Sequence, residues 1–268
     1  MKKIALILAA ALLAASLVGC AKKGGSADNS LAQLKARGVF VLGLDDSFPP
    51  MGFRDANNEI VGFDIDLAKE VAKRLGVQFK AQPINWDSKE QELNTGKIDC
   101  IWNGLTITEE RKKALSFTKP YLANKQVVVV RKGAGLNSLS DMYGKTIALQ
   151  SGSSAEDAVN DSPDFKNGVK EIVQLDQNLM ALNDLAIGGV DGVVMDSVVA
   201  EYAIAESGMP LVTLDESLAS EEYGIAFRKN DVKLTDEVQK ILEEMAADGT
   251  VARISTAWFG SDITVIGN

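Results

Sequence analysis

Short runs of β-branched residues bounded by glycine alternate with amphipathic helical segments along most of this 268-residue chain, and that alternation leaves few architectures open. GVFVLGL (residues 38–44) reads as a buried strand. DIDLAKEVAKRLG (64–76) follows as a helix: Ala68, Val71, Ala72 and Leu75 recur at helical spacing, acidic residues sit in the first turn, and Gly76 ends it. VQFKAQ (77–82) and IDCIWN (98–103) are expected strands flanking a short helix in DSKEQELNTG (87–96), while DDSFPPMGFRDANN (45–58) is rich in turn formers. The rhythm then repeats. QVVVVRK (126–132), KTIALQ (145–150) and VDGVVM (190–195) are strands; SSAEDAV (153–159), NLMALNDLAIGG (178–189) and residues 196–206 are helices. YGIAFRK (223–229) is a strand, and residues 234–260 carry two amphipathic helices. Such alternation predicts an α/β architecture with largely parallel sheets, and this length suits two lobes with a ligand cleft between them.

Charge and residue absences narrow the function. The formal net charge is −9, and the chain without its first twenty residues carries 26 basic against 37 acidic residues, net −11. Nucleic-acid binding needs a basic face to neutralise phosphates, and no Lys/Arg stripe is present. There is no histidine, which excludes Ser-His-Asp and Cys–His nucleophile systems and argues against a transition-metal site; no metal or cofactor is expected. At the start, Lys2 and Lys3 precede an apolar run over residues 4–15, too short to span a bilayer comfortably but suited to a signal-peptide core. That run leads to Leu17-Val18-Gly19-Cys20, which resembles a bacterial lipobox. The expectation is a lipoprotein signal peptide over 1–20, a diacylated Cys20 and a polar tether over 21–30, against the plainer alternative of a secretory signal with a chance cysteine. Cys100 is then a single thiol without an internal disulfide partner, and its strand context suggests an inert core position.

One segment carries binding chemistry. GLTITEER (104–111) follows a strand and opens a helix, bringing together turn amides, the hydroxyls of Thr106 and Thr108, and the planar fork of Arg111. A guanidinium of this kind matches a carboxylate in bidentate geometry, so the segment suits a small zwitterion. The alternative is that Arg111 is a solvated helix-face charge like Lys112 and Lys113. The segment alone leaves both open.

GFDIDLAKEVAKRLG (62–76), GLTITEERKK (104–113), TIALQSGSSAED (146–157), VVMDS (193–197), EEYGIAFRK (221–229) and WFG (258–260) together, in this order, resemble the polar amino acid family (family 3) of bacterial extracellular solute-binding proteins, which serve ABC-type importers. The resemblance covers about residues 31–260. It implies a two-lobe, periplasmic-binding-protein type II fold with two hinge crossovers, near residues 121–125 and 219–223. Lobe 1 would comprise residues 31–121 and 224–268, and lobe 2 residues 126–219. It also implies a non-enzymatic, extracytoplasmic protein, in the periplasm or on the outer face of the cell membrane, that is monomeric, lipid-anchored and delivers its amino acid to a permease.

Carried over position by position, Arg111 would take the ligand's α-carboxylate with the backbone amides of Thr106 and Ser154. Asp196 would take the α-ammonium with the Gly104 carbonyl and the Thr106 hydroxyl. Asp196 has its own structural explanation as an N-cap, though a carboxylate has acceptor sites enough for both roles. Phe48 and Trp86 fall where aromatics sandwich the ligand side chain; Trp102 stays ambiguous between pocket and core. Asp45, Asn103, Gln150 and Met195 would line the side-chain end. Gln150 and Met195 replace a lysine and a histidine of some glutamine-binding relatives, leaving Asp45 as the charge there. An unpaired buried carboxylate is costly, so a polar or basic amino acid (lysine, arginine, histidine or glutamine) is expected, basic slightly ahead. The alternatives are a cyclohexadienyl dehydratase-like enzyme on the same scaffold, which needs a cleft acid or base such as Asp45 or Asp196, and a ligand-sensing partner of a separate receptor.

Overall fold

The computed structural model describes residues 28–267; the expected signal peptide, Cys20 and residues 21–27 of the expected tether lie outside them. Strands are β1 (Val39–Leu44), β2 (Ser47–Phe48), β3 (Gly52–Arg54), β4 (Ile60–Val61), β5 (Gln78–Pro83), β6 (Cys100–Ile101), β7 (Leu115–Phe117), β8 (Leu122–Arg131), β9 (Thr146–Gln150), β10 (Glu171–Leu175), β11 (Gly192–Asp196), β12 (Leu211–Tyr223) and β13 (Ala226–Arg228). Helices are α1 (Ser30–Arg37), α2 (Phe63–Leu75), α3 (Lys89–Asn94), α4 (Glu109–Ala114), α5 (Ser154–Asn160), α6 (Pro163–Gly168), α7 (Asn178–Ile187), α8 (Ser197–Ser207), α9 (Val232–Ala247) and α10 (Thr250–Phe259).

The strands form two five-stranded sheets, ordered β5-β1-β6-β13-β7 and β10-β9-β11-β8-β12, and a small meander β2-β3-β4. Each large sheet is mixed. Three strands run parallel (β5, β1, β6 and β10, β9, β11), and the remaining two join antiparallel. The expectation of largely parallel sheets holds for strand direction, four strands of five in each: only β13 in the first sheet and β8 in the second run against the rest, each pairing antiparallel on both sides. The turn-rich segment after β1 holds the meander. The polar edge strand β12, which runs alongside β8 over nearly its whole length, has no strand pattern in the sequence.

Burial explains the local choices. Helix α2 buries Ala68, Val71, Ala72 and Leu75 against β1 and β5, and Gly76 ends it in the left-handed conformation at φ 75°. Val71 and Leu75 each contribute about 1.5–3 kcal/mol on burial, and the single methyl of each alanine about 0.8 kcal/mol. In β8, Val127 and Val129 point into one core and Val128 and Val130 into the other, so the unbroken valine run reflects a strand covered on both faces.

One buried carboxylate ties this scaffold to the cleft. Asp64, in the first turn of α2, accepts the Gly104 amide at 2.8 Å and the Tyr121 hydroxyl at 3.0 Å, while its Oδ1 has no partner among the described residues. It thereby joins the helix, the loop after β6 and the start of the first crossover. Gly104 itself sits at φ 58°, where an added Cβ would come within 2.9 Å of the Phe48 ring, so no other residue fits that turn without displacing its neighbours. Burial pushes the Asp64 carboxyl up to about 7, against the opposing pull of the Gly104 and Tyr121 hydrogen bonds. Because the folded state holds this proton more tightly than the unfolded chain, global stability should fall as pH rises from about 4 to about 7 and level off above. Asp64→Asn, which keeps an acceptor for the Gly104 amide, should remove that falling component. Denaturant melts of both proteins between pH 4 and 8 measure it; parallel curves would refute the assignment.

Candidate functional site

The ends of the parallel strands in the two sheets face one another across a small polar cavity. It is lined by Asp45, just after β1; Phe48 on β2; Trp86, opening a 3-10 turn; Asn103, Gly104 and Thr106, after β6; Arg111 on α4; Gln150 at the end of β9; Ser153 and Ser154 at the start of α5; and Asp196, ending β11. In α/β sheets, loops at the carboxyl ends of parallel strands are the usual place for a ligand. Ten of the residues singled out in the sequence thus surround one space. Met195 is the exception and is corrected here: it is fully buried in the hydrophobic core and does not line the cavity. Successive side chains of β11 point to opposite faces, so placing Asp196 in the cleft turns Met195 away from it. Trp102 is likewise core, edge-on to Tyr121 at 6.2 Å.

Arg111 is 8% exposed, while its neighbours Lys112 and Lys113 are solvated, so it is not a helix-face charge. The Thr108 hydroxyl caps α4 by accepting the Arg111 amide at 3.1 Å. Among the described residues, the guanidinium makes one hydrogen bond, from Nη1 to the Thr106 carbonyl at 2.9 Å, and its nearest carboxylate is Asp157 at 4.0 Å. Burial lowers its pKa, yet a guanidinium keeps its charge, so most of its five donors remain available to an anion.

Asp196 stands at the N-cap of α8 but makes no side-chain capping bond. Its Oδ1 instead accepts from Asn124 Nδ2 at 2.6 Å, Tyr223 Oη at 2.6 Å and Gln126 Nε2 at 3.1 Å. Its Oδ2 takes no hydrogen bond among the described residues, which leaves that oxygen for an incoming donor. Burial, reinforced by the Glu221 carboxylate beside it, holds Asp196 well above the ordinary carboxylate range.

The opposite end differs from expectation. Asp45 is buried but not unpaired: its Oδ1 accepts from the Ser47 amide and hydroxyl, and its Oδ2 from Gln150 Nε2 at 2.7 Å. Burial raises its pKa against these bonds. Gln150 is itself held by the Asp176 carbonyl and the Asn178 amide. Asn103 Oδ1 accepts the Asp45 amide, while its buried Nδ2 is unpartnered among the described residues.

Several residues escaped the sequence analysis. Ser153 lines the cavity, and Glu221, Asn124, Gln126 and Tyr223 build the network behind Asp196. The i, i+2 spacings Asn124/Gln126 and Glu221/Tyr223 each mark one face of a strand, but only the β8–β12 register shows that Glu221 lies opposite Asn124. Lys89 was also missed. Its ammonium lies 5.0 Å over the Trp86 ring and donates to the Trp86 carbonyl at 3.2 Å and to the Gly152 carbonyl, across the cleft, at 2.9 Å. Burial, with Arg111 nearby, lowers its pKa to about 8.

Similarity to known proteins agrees with this geometry. The sequence profile of the bacterial extracellular solute-binding proteins, family 3, matches residues 40–261. The L-cystine-binding protein TcyJ of Escherichia coli (strain K12) is 29% identical over 260 residues, covering 96% of this chain and 95% of TcyJ. The ABC transporter arginine-binding protein 1 of the same organism is 34% identical over 225 residues, covering 81% of this chain and 89% of that one. A substrate-binding protein of an ABC uptake transporter from Streptococcus pneumoniae, solved with bound histidine, superposes with a TM-score of 0.86 at 35% identity, over 89% of this chain and 98% of that one. The two-lobe, type II periplasmic-binding-protein fold is shared with that structure. The chain belongs to the bacterial extracellular solute-binding proteins, family 3.

Proposed function

We propose that this protein captures a polar or basic L-amino acid between its lobes and delivers it to an ABC-type importer. The observation that carries the proposal is the pairing, across one cavity, of Arg111 with most of its donors unspent and Asp196 with Oδ2 free. These are complementary to the two charges every amino acid carries. The α-carboxylate would lie on Arg111 and on the backbone amides of Thr106 and Ser154. The α-ammonium would lie on Asp196, the Gly104 carbonyl and the Thr106 hydroxyl. The side chain would run between Phe48 and Trp86 towards Asp45, Asn103 and Gln150. Asp45 retains acceptor capacity on Oδ2, which favours a ligand ending in donors, basic slightly ahead of amide. Relatives described as binding arginine, histidine and cystine fit this range.

Closure would be a hinge motion at residues 121–125 and 219–223, where the chain passes between lobe 1 (31–121 and 224–268) and lobe 2 (126–219). The protein is proposed to be a monomeric binder rather than an enzyme, carried outside the cytoplasm by a signal peptide over residues 1–20. Cys20 would hold it on the membrane by lipid, with the first part of residues 21–30 as tether; Asp28 and Ser30, at the end of that span, are instead hydrogen-bonded to the start of α9.

Titration calorimetry with the twenty L-amino acids should find tight binding for at least one basic or amide ligand; binding of aspartate or glutamate alone would overturn the reading. Arg111→Ala should weaken that binding by about 100-fold or more (~3 kcal/mol) while the thermal midpoint holds. Asp45→Asn should weaken arginine or lysine by about tenfold and glutamine by less than about threefold. In cells, Cys20→Ser should move the protein from the membrane fraction to the soluble one; unchanged fractionation would rule out the anchor.

A further inference from the structure

Glu221 lies on β12, half-buried behind the cavity rather than on its wall. A single oxygen, Oε2, accepts from four side chains: Thr106 Oγ1 at 2.9 Å, Gln126 Nε2 at 3.0 Å, Asn124 Nδ2 at 3.1 Å and Ser154 Oγ at 3.4 Å. Thr106 and Ser154 come from opposite sides of the cleft, and both line it. Their hydroxyls are 3.0 Å apart. A hydroxyl has one hydrogen and two lone pairs. With its hydrogen committed to Glu221, Thr106 Oγ1 can only accept from whatever enters the cavity.

The same oxygen competes with Asp196. Asn124 Nδ2 and Gln126 Nε2 serve both carboxylates, and the Gln126 Oε1 is left buried without a partner. Rotating that amide to satisfy Oε1 would aim it at two carboxylates, so the pair fixes its orientation. The other titratable or charged groups facing the pair are Tyr223, which donates to Asp196; Tyr121, one ring further; and Arg111 across the cleft, a charge also shared with Asp157 and Glu90. No cation makes a hydrogen bond or ion pair with either carboxylate among the described residues. Two carboxylates sharing neutral donors hold one charge comfortably and two only with a cation or proton between them.

We propose that Glu221 is a positioning residue for capture: it holds the Thr106 hydroxyl as an acceptor for the ligand's α-ammonium, and its charge makes Asp196 keep a proton in the empty site that the incoming ammonium displaces. The inference rests on the amino-acid reading of the cleft. One proton leaves Asp196 for solvent as each ammonium binds, so the step is balanced without another reactant. The sign follows: affinity rises with pH while empty Asp196 still holds its proton and becomes flat above.

The test is titration calorimetry on the full chain with L-arginine, L-histidine and L-glutamine, from pH 5 to 8, repeated near neutrality in phosphate and in MOPS to read proton release from the buffer-dependent heat. The wild type should gain up to about tenfold in affinity per pH unit over the lower part of this range and release protons on binding. Glu221→Gln, with an unchanged thermal midpoint, should keep its amide oxygen towards the four donors but lose the charge, so it should bind at least about fivefold more weakly at pH 8, and its pH profile and buffer dependence should flatten. A Glu221→Gln variant with wild-type affinity, pH profile and proton release overturns the assignment and leaves the binder intact. A wild type that binds none of the twenty amino acids overturns the amino-acid reading as well. If Glu221→Gln does not fold, Glu221→Asp replaces it: the shorter side chain keeps the charge but withdraws from Thr106, so affinity should drop while proton release persists, and wild-type affinity there would refute the role.

Discussion

The antiparallel pairing of β8 with β12 is the constraint on which the cleft depends. These strands lie side by side from Leu122 opposite Tyr223 outward into the second sheet, so the chain passes between its halves through one hydrogen-bonded ribbon. A ribbon of two strands bends more readily than a packed core shears, which permits two rigid lobes to share a flexible spine. The ribbon also carries the hydrogen-bond network behind the site. Asn124, Gln126, Glu221 and Tyr223 all lie on it, and all reach Asp196 or the hydroxyls beside it. Movement of the spine and the electrostatics of the pocket are therefore features of the same few residues.

Charge is distributed along the cavity in a way that matches its proposed cargo. Arg111 supplies a cation at one side, the Asp196–Glu221 pair supplies negative charge at the other, and Asp45 supplies a further carboxylate at the far end. The first two positions recognise what all amino acids have in common. The third is stabilised by Ser47 and Gln150 rather than left bare, so its charge is moderated before a ligand arrives. That arrangement separates general capture from selectivity. A change at Gln150 would alter which side chain is accepted while leaving the clamp at the other end in place.

Much of this was legible in the sequence where the signal was local. The 3.6-residue pattern of α2 and its terminal Gly76, the valine run of β8, and the GLTITEER turn with its arginine all carry their explanation within a few residues. What stayed hidden required distance or parity. β12 is polar along most of its length because it is an edge strand, so hydrophobic alternation had nothing to report. Glu221 joins Thr106 across more than a hundred residues, and its role follows from a register no periodicity encodes. Met195 was misplaced by the phase of a strand buried on both faces: in GVVMD every position is apolar or enclosed, and burial alone does not say which side chain turns inward. Asp45 was read as bare although Ser47, two residues on, satisfies one of its oxygens; the partner of the other, Gln150, belongs to the other sheet.

Three hydrogen bonds span the cleft without help from a ligand: Gln150 to Asp45, Lys89 to the Gly152 carbonyl, and the Thr106–Ser154 hydroxyl pair. Each favours the shut form over an open one. They set the resting population of shut receptors, and with it how much of the ligand's interaction energy goes into shifting the equilibrium rather than into holding on. They also bear on traffic at the transporter. A permease that senses only whether the lobes have met would be visited by empty receptors in proportion to that population, so economy of uptake depends on contacts made largely by the side chains that also meet the cargo.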